Sequence, residues 1–363
     1  MRNRKKRTRI AFFATKFTAA LLCLLLLFSL FGCKRGSDVP LSDGLSLIEG
    51  EPIYDSDVAM QTDHFTVTPG MMAFFFYSYG GELLVEMEKT VPFDSSKTLH
   101  EQIFRDELTF YDVLMNSTLQ KVSEMLIYCE AAKEAGATLT AEQKTAIASE
   151  ITALRMDAAT NGMEADPYLQ RFYGPLMTVQ DLQSVYECEA LATAYSATVT
   201  DELEGAITED RIEGYVRDHG LSDKTPSRNI AYLAIPYAAG VADESKVSTV
   251  LAALQNAPKL DTLQGFSSMG SFGSEQDLTP ENTGVSAISE WLFAKGRAVG
   301  DYGRVEAGGA TYILIYTDNG MSYAEVSARM SLYDAAYADW YNGWVERLTF
   351  GYNYDILDSY DIT

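Results

Sequence analysis

Apolar residues recur every three or four positions from about residue 69 to residue 219, and the polar signals that punctuate them predict a run of helices. Thr68-Pro69 supplies an N-cap and a proline at the first helical position, opening a helix whose Met72, Phe75, Phe76 and Tyr79 form an apolar stripe. A long amphipathic helix is predicted over roughly Leu99–Ala135, stopping before Gly136. Thr140-Ala141-Glu142-Gln143 is a capping box, in which the Thr and Gln side chains each satisfy an orphan amide of the other end. Its helix runs to about Thr160, with Gly162 just beyond. Asp166-Pro167 begins a short helix ending near Tyr173-Gly174. Thr178 caps the next, through Leu182, Val185, Leu191 and Tyr195, and Thr208 caps a last short one ended by Gly220.

The period changes after a polar linker, Leu221–Pro226. Arg228–Pro236 is a β-rich run closed by proline. Asp243 caps a helix through Val247, Val250, Leu251 and Leu254. Phe266–Gly284, rich in Gly, Ser and Asp, is expected to be loop, and Ile288–Lys295 a short helix. A hairpin follows: Tyr302–Glu306, a turn at Ala307-Gly308-Gly309, and Thr311–Thr317, whose apolar residues on both faces suit a central strand. Ser322-Tyr323-Ala324-Glu325 is a second capping box, opening a long final helix with Trp340, Trp344 and Leu348 on one stripe. A lone helix cannot bury such a stripe. It is therefore expected to return to the first helical bundle, making the α/β part an insertion. The fold class is α+β, with a helical domain over 47–220, an α/β domain over 221–320 and a C-terminal helix over 321–363.

The first residues follow a different logic. Arg2, Arg4, Lys5, Lys6, Arg7, Arg9 and Lys16 precede the apolar run from Leu21 to Phe28, which ends at Leu30-Phe31-Gly32-Cys33. A basic flank, a short apolar run and a small residue before a cut site describe a signal peptide. The run is shorter than the roughly 20 apolar residues of a membrane span. Leu30-Phe31-Gly32-Cys33 resembles the bacterial lipobox, whose cysteine is diacylated and becomes the mature N-terminus, although Phe31 is bulkier than that pattern. An uncleaved anchor helix is the alternative. Residues 1–32 are thus expected to be a lipoprotein signal, Cys33 the lipid attachment and 33–46 a tether, with the body exported to the extracytoplasmic face.

Those 32 residues hold seven of the 28 basic residues and no acidic one; without them 21 basic residues face 51 acidic, a net charge of −30. Such a surface repels phosphate backbones, so nucleic acid is a poor partner. Cys129 and Cys188 are the remaining cysteines. Export permits a disulfide between them, with two buried thiols the preferred reading, and no C-x-x-C motif occurs. No Walker-type loop, nucleophile elbow or G-x-G-x-x-G appears. His64 beside Asp63 is read as a solvated pair rather than a metal ligand. No catalytic residue, metal or cofactor is assigned.

Two stretches carry a family resemblance. Ala131-Ala132-Lys133-Glu134-Ala135-Gly136 with Leu139-Thr140, then Tyr168-Leu169, Tyr173-Gly174 and Thr178, resemble the SurA N-terminal chaperone domain. Trp291-Leu292-Phe293, Gly300-Asp301-Tyr302 and the strand Tyr312-Ile313-Leu314-Ile315-Tyr316 are similar to the end of a degenerate parvulin domain. With the lipobox and the element order, the chain resembles the parvulin-type foldase lipoproteins (PrsA-like). That resemblance implies a helical chaperone domain completed by the C-terminal helix, an inserted parvulin-like domain, and unfolded or exported polypeptides as partners, at a membrane reached through the lipid; a homodimer is allowed. It also implies peptidyl-prolyl isomerisation, which works against a rotation barrier close to 20 kcal/mol and uses two histidines on the first and last strands. The three histidines here are His64, His100 and His219, and none lies between Lys224 and Asn319. Asn229 stands at the first-strand position, Thr311 or Tyr312 at the last, and the family's Gly-Asp-Leu-Gly survives only as Gln276-Asp277-Leu278-Thr279. The expected pocket, Asn229, Asp277, Phe293 and Tyr312, is therefore degraded, and isomerase activity is expected to be weak or absent. Met71, Met72, Phe75 and Phe76, with Phe74 and Tyr77, form the candidate chaperone surface, since soft side chains suit varied sequences; for any one of them core packing is the preferred reading, but six consecutive large apolar residues cannot all face one side of a helix. An active isomerase with a divergent pocket and a transporter's substrate-binding lipoprotein are the alternatives.

Overall fold

The computed structural model describes residues 48–238 and 240–361. The expected signal, Cys33 and the tether lie outside the described residues. Three short strands come first: β1 (Glu51–Pro52), β2 (Met60–Gln61) and β3 (Thr66–Val67). Thr68 then caps α1 (Pro69–Phe75), its Oγ1 accepting from the Met71 amide at 3.1 Å and donating to Asp181 at 2.6 Å. A π-helical turn, Phe76–Gly80, joins α1 to α2 (Gly81–Met87). Phe74 packs on Tyr173 while Phe76 packs on Tyr111 and Tyr360. This helical stretch is covered on more than one side, which accounts for its unbroken apolar run.

The helix expected over 99–135 is shorter. A hairpin, β4 (Ile103–Arg105) and β5 (Leu108–Thr109), precedes α3 (Phe110–Glu134). Thr109 and Asp112 form a reciprocal capping box, and Asp106 takes φ +54 in the turn, a conformation Asp tolerates. Local polar chemistry thus overrides an apolar period that seemed continuous. Three helices follow: α4 (Ala141–Thr160), α5 (Ala165–Tyr173) and α6 (Val179–Gly205). The capping box at Thr140–Gln143 is present.

The described residues divide into two units, one reaching Glu204 and resuming at Ala336, the other Gly205–Ala335. The second begins with α7 (Glu209–Asp218) and continues as β6 (Pro226–Pro236), α8 (Glu244–Asn256), α9 (Leu260–Gln264), β7 (Ser271–Leu278), α10 (Ser286–Leu292), β8 (Tyr302–Ala307) and β9 (Ala310–Ser322). Its antiparallel sheet has the order β7-β6-β9-β8. Ala231, Leu233, Ile235, Ile313 and Ile315 meet Val247, Val250 and Leu254 on one face; Ile230, Tyr232, Leu314 and Tyr316 meet Ile288 and Leu292 on the other. β7 lies where loop was expected. As an edge strand it pairs with β6 alone, so a polar sequence with few apolar residues suffices.

The capping box at Ser322 and Glu325 opens α11 (Tyr323–Arg347), its hydroxyl donating to the Glu325 carboxylate at 2.6 Å. From Ala336 onward this helix belongs to the helical unit. There Trp340 stacks on Tyr128 at 5.1 Å, and Trp344 and Leu348 pack on the main core. The chain then supplies β10 (Gly351–Tyr352), which enters between β1 and β2 in the sheet β1-β10-β2-β3, and α12 (Tyr354–Leu357). Three tyrosines fasten this tail. Tyr77 donates to the Asp361 carbonyl at 2.9 Å, Tyr111 to that of Leu357 at 2.7 Å, and Tyr360 to that of Pro69 at 2.7 Å. Phe350, Tyr352, Leu357 and Tyr360 are buried in the main cluster, each contributing roughly 1.5–3 kcal/mol of apolar transfer. Among the described residues no helix is long and apolar enough to cross a membrane.

Candidate functional site

The polar residues singled out in the α/β unit sit at one end of its sheet and bind each other. Asp277, at φ +54 in β7, has a carboxylate that accepts from Ser227 Oγ at 2.9 Å, from the Met321 amide at 2.8 Å and from Arg329 at 3.4 Å. The Asp277 amide donates to Asn229 Oδ1 at 2.8 Å. A Cβ on Gly320 would come within 2.1 Å of this carboxylate and 2.4 Å of the Ser227 hydroxyl, so only glycine admits the group here. The cluster ties β6, β7, the end of β9 and α11 together. Its hydrogen bonds run between these strand ends and fix them in place.

Phe293 lies at the same end, its ring 5.1 Å from the Arg228 guanidinium, which also stands 5.2 Å from the Tyr316 ring. Tyr312 is elsewhere. It pairs with Ala234, whereas Asn229 pairs with Asp318, a separation of six residues along β9 or about 20 Å. Its ring lies 5.8 Å from Tyr232. The four residues expected to converge therefore do not: Asn229 and Asp277 are bonded, Phe293 is capped by a cation and Tyr312 stands apart.

Met71, Met72, Phe75 and Phe76 are core residues, exposed by 2 % or less. They give no side chain to a client, because the tail and α3 close over them. Phe74 and Tyr77 are only partly buried but pack against the same core.

Open apolar surface occurs at the other end of α3. That helix ends in a Schellman turn: the Ala137 amide reaches back to the Ala132 carbonyl at 2.8 Å, with Gly136 at φ +70. The turn leads into a groove of about 430 Å³ lined by Phe65, Ala137, Leu139 and Leu191, with Lys133, Lys144 and Glu187 also on its walls. Lys133 Nζ lies 5.8 Å from the Phe65 ring centre. Leu139 precedes the N-cap Thr140, where an apolar residue ordinarily folds onto the fourth helical position. That position here is Lys144. The missing staple partner is the sequence signal by which this groove could have been found.

Phe65 is held from behind. Glu130, on the inner face of α3 and 2 % exposed, accepts from Thr62 Oγ1 at 2.6 Å, from the His64 amide at 2.7 Å and from His64 Nδ1 at 2.7 Å. His64 thus pairs with Glu130 and is not simply a solvated partner of Asp63. Within the π-helical turn, Tyr79 donates to Glu189 Oε1 at 3.1 Å, and Lys121 Nζ lies 4.7 Å from the Tyr79 ring centre. Burial pushes the Glu189 carboxyl up to about 7, against the opposing pull of the Tyr79 hydrogen bond.

No family model matches the chain, and no curated protein is a significant match. Among solved structures it is similar to PrsA from Bacillus subtilis at 16% identity and a TM-score of 0.29, over 85% of this chain and 94% of that one. It is similar to a SurA-like chaperone from Campylobacter jejuni, of the related pair PEB4 and Cj1289, at 10% identity and a TM-score of 0.25, over 81% and 98%. The foldase protein PrsA from Lactococcus lactis gives 9% identity and a TM-score of 0.21, over 78% and 86%. At such TM-scores the functional reading rests on this chain's own residues.

Proposed function

We propose that the chain is an extracytoplasmic chaperone of the parvulin-type foldase kind, tethered by lipid at Cys33, which holds unfolded exported polypeptides on its helical unit. The observation that carries this reading is the groove at Phe65, Leu139 and Leu191, where three half-buried apolar side chains from separate segments line one open concavity. It takes the role first expected of Met71, Met72, Phe75 and Phe76. Adaptable apolar contact flanked by charge suits segments of varied sequence.

The β6-to-β9 element order, with a helix-bearing connection on either side of β7, supports reading the α/β unit as a parvulin-like insert. Its lack of any histidine from Lys224 to Asn319, and the mutual bonding of Asn229 and Asp277, support an insert without working isomerase chemistry. Suppression of the aggregation of a chemically denatured client tests the reading. The mature chain is expected to suppress it, and Leu139→Asp with Leu191→Asp to reduce that at least several-fold without unfolding the unit. Unaltered suppression in the double variant contradicts the groove. Protease-coupled turnover of an X-Pro peptide, abolished by Tyr312→Ala, would instead restore the isomerase.

A further inference from the structure

Cys129 on α3 and Cys188 on α6 stand 59 positions apart in sequence and meet inside the helical unit. Both are free thiols, Cys129 buried and Cys188 half-buried. Cys129 Sγ donates to the Cys188 carbonyl at 3.4 Å. Two separately anchored helices thus bring the thiol of one cysteine against the backbone of the other before any bond exists, a closeness that a disulfide requires. The neighbouring Cys188 side chain, with burial, pushes the Cys129 thiol up, and the neighbouring Cys129 draws Cys188 down. Cys188, the sulfur nearer solvent, is therefore the one an oxidant reaches first, with Cys129 behind it.

We propose that Cys129 and Cys188 are a redox couple that closes into a disulfide between α3 and α6, with a small-molecule or protein disulfide as oxidant. The Cys188 thiolate attacks one sulfur of the oxidant, forming a mixed disulfide and expelling a thiolate. Cys129 gives its proton to solvent base and attacks Cys188 Sγ, breaking the mixed disulfide and expelling the second thiolate. Two protein thiols lose two electrons and two protons, and the oxidant leaves as two thiols. The bond would lie about one helical turn from Lys133 on α3 and from Leu191 on α6, two walls of the groove. Oxidation would thereby fix the spacing of those walls. The couple itself does not depend on what the groove holds.

The test uses the full chain carrying Cys23→Ser and Cys33→Ser, so that only this pair can react. It is equilibrated across increasing ratios of oxidised to reduced glutathione and quenched by alkylation. The expected product is two mass units lighter, carries no alkyl group and yields one cross-linked peptide pair containing residues 129 and 188. Its thermal midpoint is expected to rise by roughly 5 °C or more. Two alkylatable thiols in the most oxidising buffer, or a glutathione adduct that persists at Cys188, overturns the proposal. Adding Cys129→Ser removes the resolving sulfur, and this variant is expected to accumulate that adduct. If Cys188 then stays unmodified, the proposal also fails.

Discussion

In the helical unit Phe75, Phe76, Phe110 and Phe350 are buried completely, yet Phe65, Leu139 and Leu191 remain around an open groove. In the α/β unit both faces of the sheet are covered, and Asn229, Asp277 and Ser227 are bonded to one another at the strand ends. Holding a foreign chain needs apolar surface left uncovered. Proton chemistry needs polar groups left free to move a proton. The helical unit leaves such surface at its groove, while the polar groups at the strand ends of the α/β unit are bonded to one another.

Phe76→Ala presses hardest on this contrast. Removing a ring packed among Tyr77, Tyr111 and Tyr360 is expected to cost the helical unit about 3–5 kcal/mol. Urea unfolding followed at tryptophan, with Trp340 and Trp344 in that unit and Trp291 in the other, should show the loss in the helical transition alone. Equal shifts in both transitions would mean that the two units do not melt separately. Asp277→Ala runs the experiment in reverse. By orphaning the Ser227 hydroxyl and the Met321 amide it is expected to cost the α/β unit about 2–3 kcal/mol, with client holding unchanged. A variant that keeps its stability would show the carboxylate to be free for chemistry after all.

Glu189→Gln gives the smallest effect and the clearest sign. The Glu189 carboxyl is raised to about 7 from 4.5, so the folded state keeps a proton that the unfolded chain releases. Its contribution to stability is complete below about 4.5, declines as pH rises toward 7 and is gone above that. The glutamine variant should lack this decline, gaining on the order of 1–3 kcal/mol over the parent at pH 8 relative to pH 4. Urea midpoints at the two pH values measure it; parallel changes in parent and variant would contradict the buried acid.

Much of the fold is legible wherever the backbone's own polar groups are satisfied locally. Thr68, Thr140 and Ser322 mark helix starts because a side-chain oxygen three residues from an orphan amide leaves little choice. The hairpin at Ile103–Thr109 and the strand Ser271–Leu278 were not legible, since each depends on a distant partner or a left-handed aspartate rather than on its own period. The site follows the same rule. Asn229 and Asp277 do belong together, but the other partners of Asp277, Met321 and Arg329, arrive from far along the chain. Tyr312 is misplaced because strand position alone says nothing of register. For each of Met71, Met72, Phe75 and Phe76 core packing is the preferred reading, and all four are buried, Phe76 against Tyr360 of the tail. Leu139 carried its clue openly, in the lysine where an apolar staple partner belongs.

The central claim is that an unfolded chain meets this protein at the helical groove and not at the α/β sheet. Photo-crosslinking tests it most directly, with a benzophenone amino acid placed at Leu139 in one sample and at Tyr312 in another, and a labelled denatured client added to each. The account predicts client adducts from position 139 and few or none from position 312; strong capture at 312 with none at 139 would contradict it.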